Sequence, residues 1–281
     1  MGLIDGVDHA VVTVRDLDAA SRAYARLGFT LTPRGRHTKL GTHNHTIMLP
    51  DRLTYFELLG VESPGLNTAF YEAFLAAREG VSSLALKAGD ARAVHAAMAG
   101  PPFGAGEAID FARAVELPGG AREARFTVTQ FDPAATPGAR SFVCQHYTPD
   151  VVWRPDMLAH ANGATGLKSV VIVAAEVGPA ATRWARLFDV EPVIDAEEAV
   201  VPTATAAVIV LAPAAFARRF PRETLGDARA PLCAGLGFAV ADRAATAAWF
   251  RKHGVAARDP GRGAPLVVGA AEACGAVLLF G

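Results

Sequence analysis

Short runs of β-branched and apolar residues alternate with helix-spaced apolar positions along the whole chain. The first run, residues 6–14, reads Gly-Val-Asp-His-Ala-Val-Val-Thr-Val. It predicts a strand buried on both faces or nearly so, with one histidine near its start. Asp16 stands where a helix N-cap belongs, and Leu17, Ala20, Tyr24 and Leu27 follow at helical spacing. Gly28 suits the position just past the helix end. Three more strands are predicted over residues 29–32, 45–49 and 52–59, the first two cut by Pro33 and Pro50. The unit is therefore βαβββ.

The same unit recurs. A connecting helix is predicted over residues 67–78, and residues 80–88 then align position for position with 6–14. Asp90 caps a second helix over 91–99, and strands follow near 114–117, 124–131 and 140–147, with Gly119-Gly120 as a turn. A third copy opens at Gly166, with a helix over 179–187 and strands at 190–194, 198–201 and 206–211. A fourth opens at Gly235, with a helix over 243–253 closed by Gly254 and strands at 255–257, 266–268 and 276–280. The openings are unequally spaced, so the extra length belongs to loops. Residues 148–165 have mixed composition, with Pro149, Trp153, Pro155 and Asn162-Gly163, and mark the natural boundary. This predicts an N-terminal domain over 1–150, a linker over 151–165 and a C-terminal domain over 166–281.

Composition narrows the function. With 281 residues, 51% of them hydrophobic, the chain buries a sizeable core. A formal net charge of −1 and scattered arginines argue against a nucleic-acid partner, and Arg218-Arg219 with Arg222 reads as a solvated helix end. Three widely spaced cysteines, Cys144, Cys233 and Cys274, fit a reducing compartment and read as core residues. No apolar run is long enough for a bilayer span, and the N-terminus lacks a signal-peptide pattern. A cytoplasmic protein without a membrane partner is expected.

Four βαβββ units, the first with His9 on its first strand and Glu57 on its last, resemble the vicinal oxygen chelate superfamily. Gly-Thr-His-Asn-His-Thr-Ile-Met-Leu at 41–49, followed by Tyr-Phe-Glu-Leu-Leu at 55–59, is similar to its glyoxalase-like branch. The resemblance is stronger over 6–150 than over 166–281. It implies an α+β fold in which the modules pair into two half-barrel cups. It also implies a divalent metal (Zn, Ni, Mn or Fe) held by first and last strands. His9 and Glu57 match the ligands of the first module. The second module has Ser83 at the first-strand position and offers His146 or Gln145 on its last strand. Adjacent strand residues face opposite ways, and neutral imidazole is the better ligand, so His146 is favoured. Ser169 and Phe238 stand at the matching positions of modules three and four, so one site is expected, in the N-terminal half.

Two histidines and a carboxylate with open positions suit a metal that binds two substrate oxygens and stabilises an enediolate or catecholate. Asn44, Gln145 and Tyr147 are candidate substrate-binding or ligand-supporting residues. Glu57 could serve instead as the proton-transfer base. Each has a plainer reading: His9 as a buried hydrogen-bonded histidine, Glu57 as an arginine partner, and His43 and His45 as a strand edge at the cup mouth. His160 reads as linker structure and Trp153 as an inter-domain anchor. The expectation is a metal-dependent lyase, isomerase or dioxygenase acting on a small oxygenated metabolite. The alternative is a non-catalytic binding protein of the bleomycin-resistance type. Partners reduce to a small molecule and, at most, a second copy in a homodimer.

Overall fold

The computed structural model describes residues 2–37, 40–65, 67–115, 119–224, 231–261 and 263–281. The first module comprises β1 (Gly6–Thr13), α1 (Leu17–Arg26), β2 (Gly35–His37), β3 (Thr42–Met48) and β4 (Tyr55–Val61). Helix α2 (Ala69–Ala77) leads to β5 (Gly80–Lys87), α3 (Ala91–Met98), β6 (Ile109–Val115), β7 (Arg122–Gln130) and β8 (Arg140–His146). A one-turn helix α4 (Pro149–Val152) precedes β9 (Ala164–Val173), α5 (Val177–Phe188), β10 (Val193–Ile194), β11 (Glu198–Val201) and β12 (Ala207–Leu211). The chain closes with α6 (Pro213–Arg219), β13 (Leu232–Val240), α7 (Arg243–Lys252), β14 (Ala257–Arg258), β15 (Leu266–Val268) and β16 (Val277–Phe280).

The strands form two eight-stranded sheets, ordered β2-β3-β4-β1-β5-β8-β7-β6 and β10-β11-β12-β9-β13-β16-β15-β14. The two orders are the same pattern. In each, the opening strands of two modules lie antiparallel at the centre, β1 on β5 and β9 on β13. Each opening strand also pairs parallel with the last strand of its own module. This is the α+β, four-module, two-cup architecture that the family resemblance implies.

Local rules explain most of the elements. The Asp16 carboxylate accepts from the Ala19 N–H, and Asp90 and Asp242 cap α3 and α7 in the same way. Leu17, Ala20 and Tyr24 are the buried face of α1. Gly28 takes φ +88°, and a Cβ there would meet the Trp249 indole nitrogen at 2.7 Å and Asn162 N at 2.8 Å. One core cluster runs from Ile4 to Phe280 and draws on both sheets and the helices packed on them, and within it Phe29 and Phe56 each lie 5.3 Å from Phe238. Among the described residues no helix is long and apolar enough to cross a membrane.

Several predicted strands shift by up to three residues at an end, β4 and β10 among them, and two depart further. Residues 29–32 are not a strand: Phe29 turns into the core, and the edge strand β2 begins only at Gly35, beyond Pro33. The strand predicted at 114–117 is β6, which starts earlier, at Ile109; residues 116–117 lie outside the described residues.

Candidate metal centre

The cup face of the first sheet is set by alternation. Val143 on β8 points to the main core, so Phe142, Cys144 and His146 point into the cup. On β4, Tyr55 and Glu57 share that face, as do Asn44, Thr46 and Met48 on β3. On β1 the alternation is interrupted. Val7 pairs with Leu86 on β5 and His9 with Ala85, so Asp8 is an extra residue at a bulge. The bulge lets two consecutive side chains, Asp8 and His9, meet on one side.

Asp8 is fully buried and is the hub of the site. Its Oδ1 lies 2.7 Å from His9 Nδ1 and 3.0 Å from His146 Nε2, and its Oδ2 accepts from Lys87 Nζ at 3.1 Å. Cys144 Sγ is 3.7 Å from the same His146 nitrogen. Asp8, Cys144 and His146 each offer one ligand atom, all within 4.8 Å of one another. Burial opposes the charge on Asp8. The charge and hydrogen bond of His146, followed by those of His9, outweigh it and hold the carboxyl well below the usual carboxylate range. Burial, reinforced by the Asp8 and Glu57 carboxylates, pushes the Cys144 thiol well up.

Aromatic rings close the site. His9 stacks on Tyr55 with centroids 4.1 Å apart, and the Tyr55 hydroxyl lies 3.4 Å from His9 Nε2. Trp153, 2% exposed, stands 5.1 Å from the His146 ring and 5.5 Å from Tyr55. The linker residues Val151, Val152 and Trp153 thus fill the middle of the first cup. His146 Nδ1 is buried without a hydrogen-bond partner among the described residues.

The residues singled out in the sequence divide. His9 and His146 both reach the Asp8 carboxylate. Glu57 lies apart from this cluster, opposite Val11, where its carboxylate accepts from Asn44 Nδ2. Gln145 and Tyr147 lie on the outer face: Gln145 accepts from Ala91 N–H and donates to Gly89 O, and the Tyr147 hydroxyl contacts Thr127 Oγ1 at 2.9 Å. The period-two alternation that turns His146 inward turns its two neighbours outward, so neither lines the cup. His43 and His45 sit on the face opposite Asn44, where His45 Nδ1 contacts Thr32 O. His160 bridges Thr30 N and Met48 O, a structural role. Asp8 and Cys144 are the residues the sequence reading missed. The available signal was an aspartate inside an apolar strand, which is too costly to bury without partners.

At the open end of the cup a cavity of about 440 Å³ is lined by Arg34, Arg36, His37, Arg113 and Phe111. Arg34 pairs with Asp18 and Arg36 with Glu62, while Arg113 has no carboxylate partner among the described residues. Burial lowers the His37 pKa against the opposing pull of Glu57.

The donor set fits a metal. A carboxylate ionised without solvent, an imidazole and a thiol converge, and separations of 3.0 and 3.7 Å between donor atoms suit ligands sharing one ion.

Comparison with known proteins agrees with this architecture. A family model described as a glyoxalase-like domain matches residues 7–188. A hypothetical protein from Staphylococcus aureus is similar in structure, with a TM-score of 0.70 at 13% identity over 98% of each chain. A mutant of 4-hydroxymandelate synthase from Streptomyces coelicolor has a TM-score of 0.57 at 15% identity, over 93% of this chain and 78% of that one. No curated protein matches the sequence. The chain belongs to the glyoxalase-like domain family, within the vicinal oxygen chelate superfamily.

Proposed function

We propose that the N-terminal cup, within residues 1–150, is a metal-dependent active site for a small, oxygenated, anionic metabolite. The observation that carries this reading is the convergence of Asp8, Cys144 and His146 at the floor of the cup, with Asp8 kept ionised in full burial. These three side chains would hold the ion; the thiolate favours zinc or iron over magnesium or manganese. Bound there, the ion supplies Lewis-acid stabilisation of negative charge developing on substrate oxygen.

The remaining groups have separate tasks. His9 and Lys87 fix the orientation of Asp8. Glu57, held by Asn44, is the proton-transfer base. Arg113, with no carboxylate partner among the described residues, anchors an acidic group of the substrate at the cup mouth. The reaction class is abstraction or relocation of a proton beside a carbonyl, an isomerase or lyase chemistry. Members of this superfamily also include dioxygenases, and the 4-hydroxymandelate synthase of similar structure carries its activity in its name. A proton-exchange assay tests the reading. Metal-loaded protein in deuterated water should exchange the α-proton of small 2-oxo and 2-hydroxy acids, and Glu57→Gln should lower that rate by about 10²-fold or more. No exchange across the set would contradict it.

A second reading, a binding protein without chemistry, is favoured by one observation. Trp153 stands over His146 and Tyr55 and leaves the cluster almost solvent-free. Saturable ligand binding without turnover would support that reading.

A further inference from the structure

The second cup repeats the strand pairings of the first, so its residues can be matched by register. His9 pairs with Tyr55 on one side and Ala85 on the other; Ser169 pairs with Ala207 and Gly237 in the same way. Val11 faces Glu57, and Val171 faces Ile209. Ala85 faces Phe142, and Gly237 faces Leu279. The stacked rings of the first cup are thus replaced by a hydroxymethyl and a methyl group, and the carboxylate by an aliphatic chain. What opens in their place is a cavity of about 880 Å³. Phe216 of α6 and Phe220 just beyond it cluster with Val171 and Val173, and Phe220 also forms part of the cavity wall.

The lining of this cavity has a definite chemistry. Its walls are apolar, with Ile209, Phe220, Val267 and Leu279 among them. Its rim carries Lys168, Arg218, Arg219, Arg243 and Arg258, and no lining side chain among those described is a carboxylate. Arg218, Arg219 and Arg243 are matched by Glu197, Glu198 and Asp259 from outside the lining. Among the described residues, the side chains of Lys168 and Arg258 hydrogen-bond main-chain oxygens only, of Gly281 at 3.5 Å and Arg219 at 2.7 Å. Ser169 is 7% exposed, lines the cavity, and its hydroxyl has no hydrogen-bond partner among the described residues. A Cβ at Gly237 would come within 2.3 Å of that hydroxyl, so glycine is what leaves it room.

We propose that the second cup is a metal-free binding site for a small amphipathic anion, an apolar body with one carboxylate head. The body occupies the space that His9 and Tyr55 fill in the first cup. The head meets Arg258 and Lys168, with the Ser169 hydroxyl as a donor along the way. A cavity of this size and polarity suits a medium-chain carboxylate. No step of the first-cup proposal is needed for this one.

Isothermal titration of the full chain with decanoate in the presence of EDTA tests it, with decyltrimethylammonium as the cationic control. Decanoate should bind saturably at one per chain, and the ammonium about tenfold more weakly or not at all. Ala207→Phe places a ring where Tyr55 stands in the first cup and should abolish decanoate binding at unchanged Tm. Arg258→Glu, at the rim, should weaken decanoate about fivefold. If Ala207→Phe fails to fold, Arg258→Glu decides alone. Absence of saturable binding, equal binding of the ammonium, or unchanged affinity in the folded variants would each overturn the proposal.

Discussion

Asp8 carries a negative charge where no solvent reaches it, and three donors make that tolerable: His9, His146 and Lys87. Removing the carboxylate leaves buried donors without a partner, which costs far more than an exposed ion pair. Asp8→Ala is therefore expected to lose about 3–5 kcal/mol in urea unfolding of the metal-free protein. A loss below about 1 kcal/mol, the scale of a surface ion pair, would contradict the hub role. The thiols make a second residue-scale prediction. Burial pushes Cys233 up to about 12 and Cys274 up to about 11, and Cys144 well above its ordinary value. Only the thiolate is nucleophilic, so at pH 8 the native metal-free protein should leave all three unlabelled by Ellman's reagent over minutes. Unfolded protein should react at all three; rapid labelling of any cysteine in the native state would contradict the burial. At this scale His9 and His146 were readable in sequence, because a histidine within an apolar strand announces itself. The pairing of Glu57 with Asn44 was not, since it joins two strands whose relative register no local pattern encodes.

Among the elements, β1 shows how a site can hide from periodicity. Strict alternation puts Asp8 and His9 on opposite faces, and only the slip against β5 between Val7 and His9 brings them together. The strand was legible and its bulge was not, because a bulge is a property of the pair of strands. Similarly, residues 148–165 read as a boundary by composition, yet this segment buries Trp153 in the first cup and pins its own end through His160. Trp153→Ala should cost about 3–5 kcal/mol, measured by denaturant unfolding, as for other fully buried large rings. His160 accepts from Thr30 N–H and donates to Met48 O, an arrangement that only the neutral ring satisfies. Burial accordingly lowers its pKa, against the Met48 hydrogen bond. A lowered histidine pKa means the unfolded chain takes up the proton first. The stability contributed is present above about pH 6.5 and is lost as pH falls below it. The Tm gap between wild type and His160→Gln should therefore be several degrees at pH 8 and narrow at pH 5. A gap that is constant or wider at pH 5 would contradict the assignment.

For the molecule as a whole, the repeat was the most legible feature, because four glycine-led strands each followed by a helix, three of them capped by an aspartate, leave a pattern that loops of any length preserve. Less legible was how the halves share one interior. The Tyr24 hydroxyl donates to Ala273 O, Cys233 N to Gly138 O, and the Thr205 hydroxyl to Val7 O, while Phe238 sits among Phe29, Phe56 and Phe280. A core that contiguous should melt as one unit. Calorimetry of the metal-free chain should give a single transition with matching calorimetric and van't Hoff enthalpies, and two resolved transitions would contradict the shared core. Within that common frame the cups have diverged, one lined with a carboxylate, a thiol, imidazoles and aromatic rings, the other with small and aliphatic groups under a basic rim.

The central claim is that Asp8, Cys144 and His146 form one metal site. Cobalt(II) titration followed by near-ultraviolet absorption tests it most directly, because a thiolate ligand gives a charge-transfer band that histidine and carboxylate ligands do not. One equivalent should bind with that band in wild type and in Glu57→Gln. Cys144→Ser should lose the band, and Asp8→Asn should lose most of the affinity. Absence of binding, a band that survives in Cys144→Ser, or loss of binding in Glu57→Gln with Asp8→Asn unaffected would contradict the account.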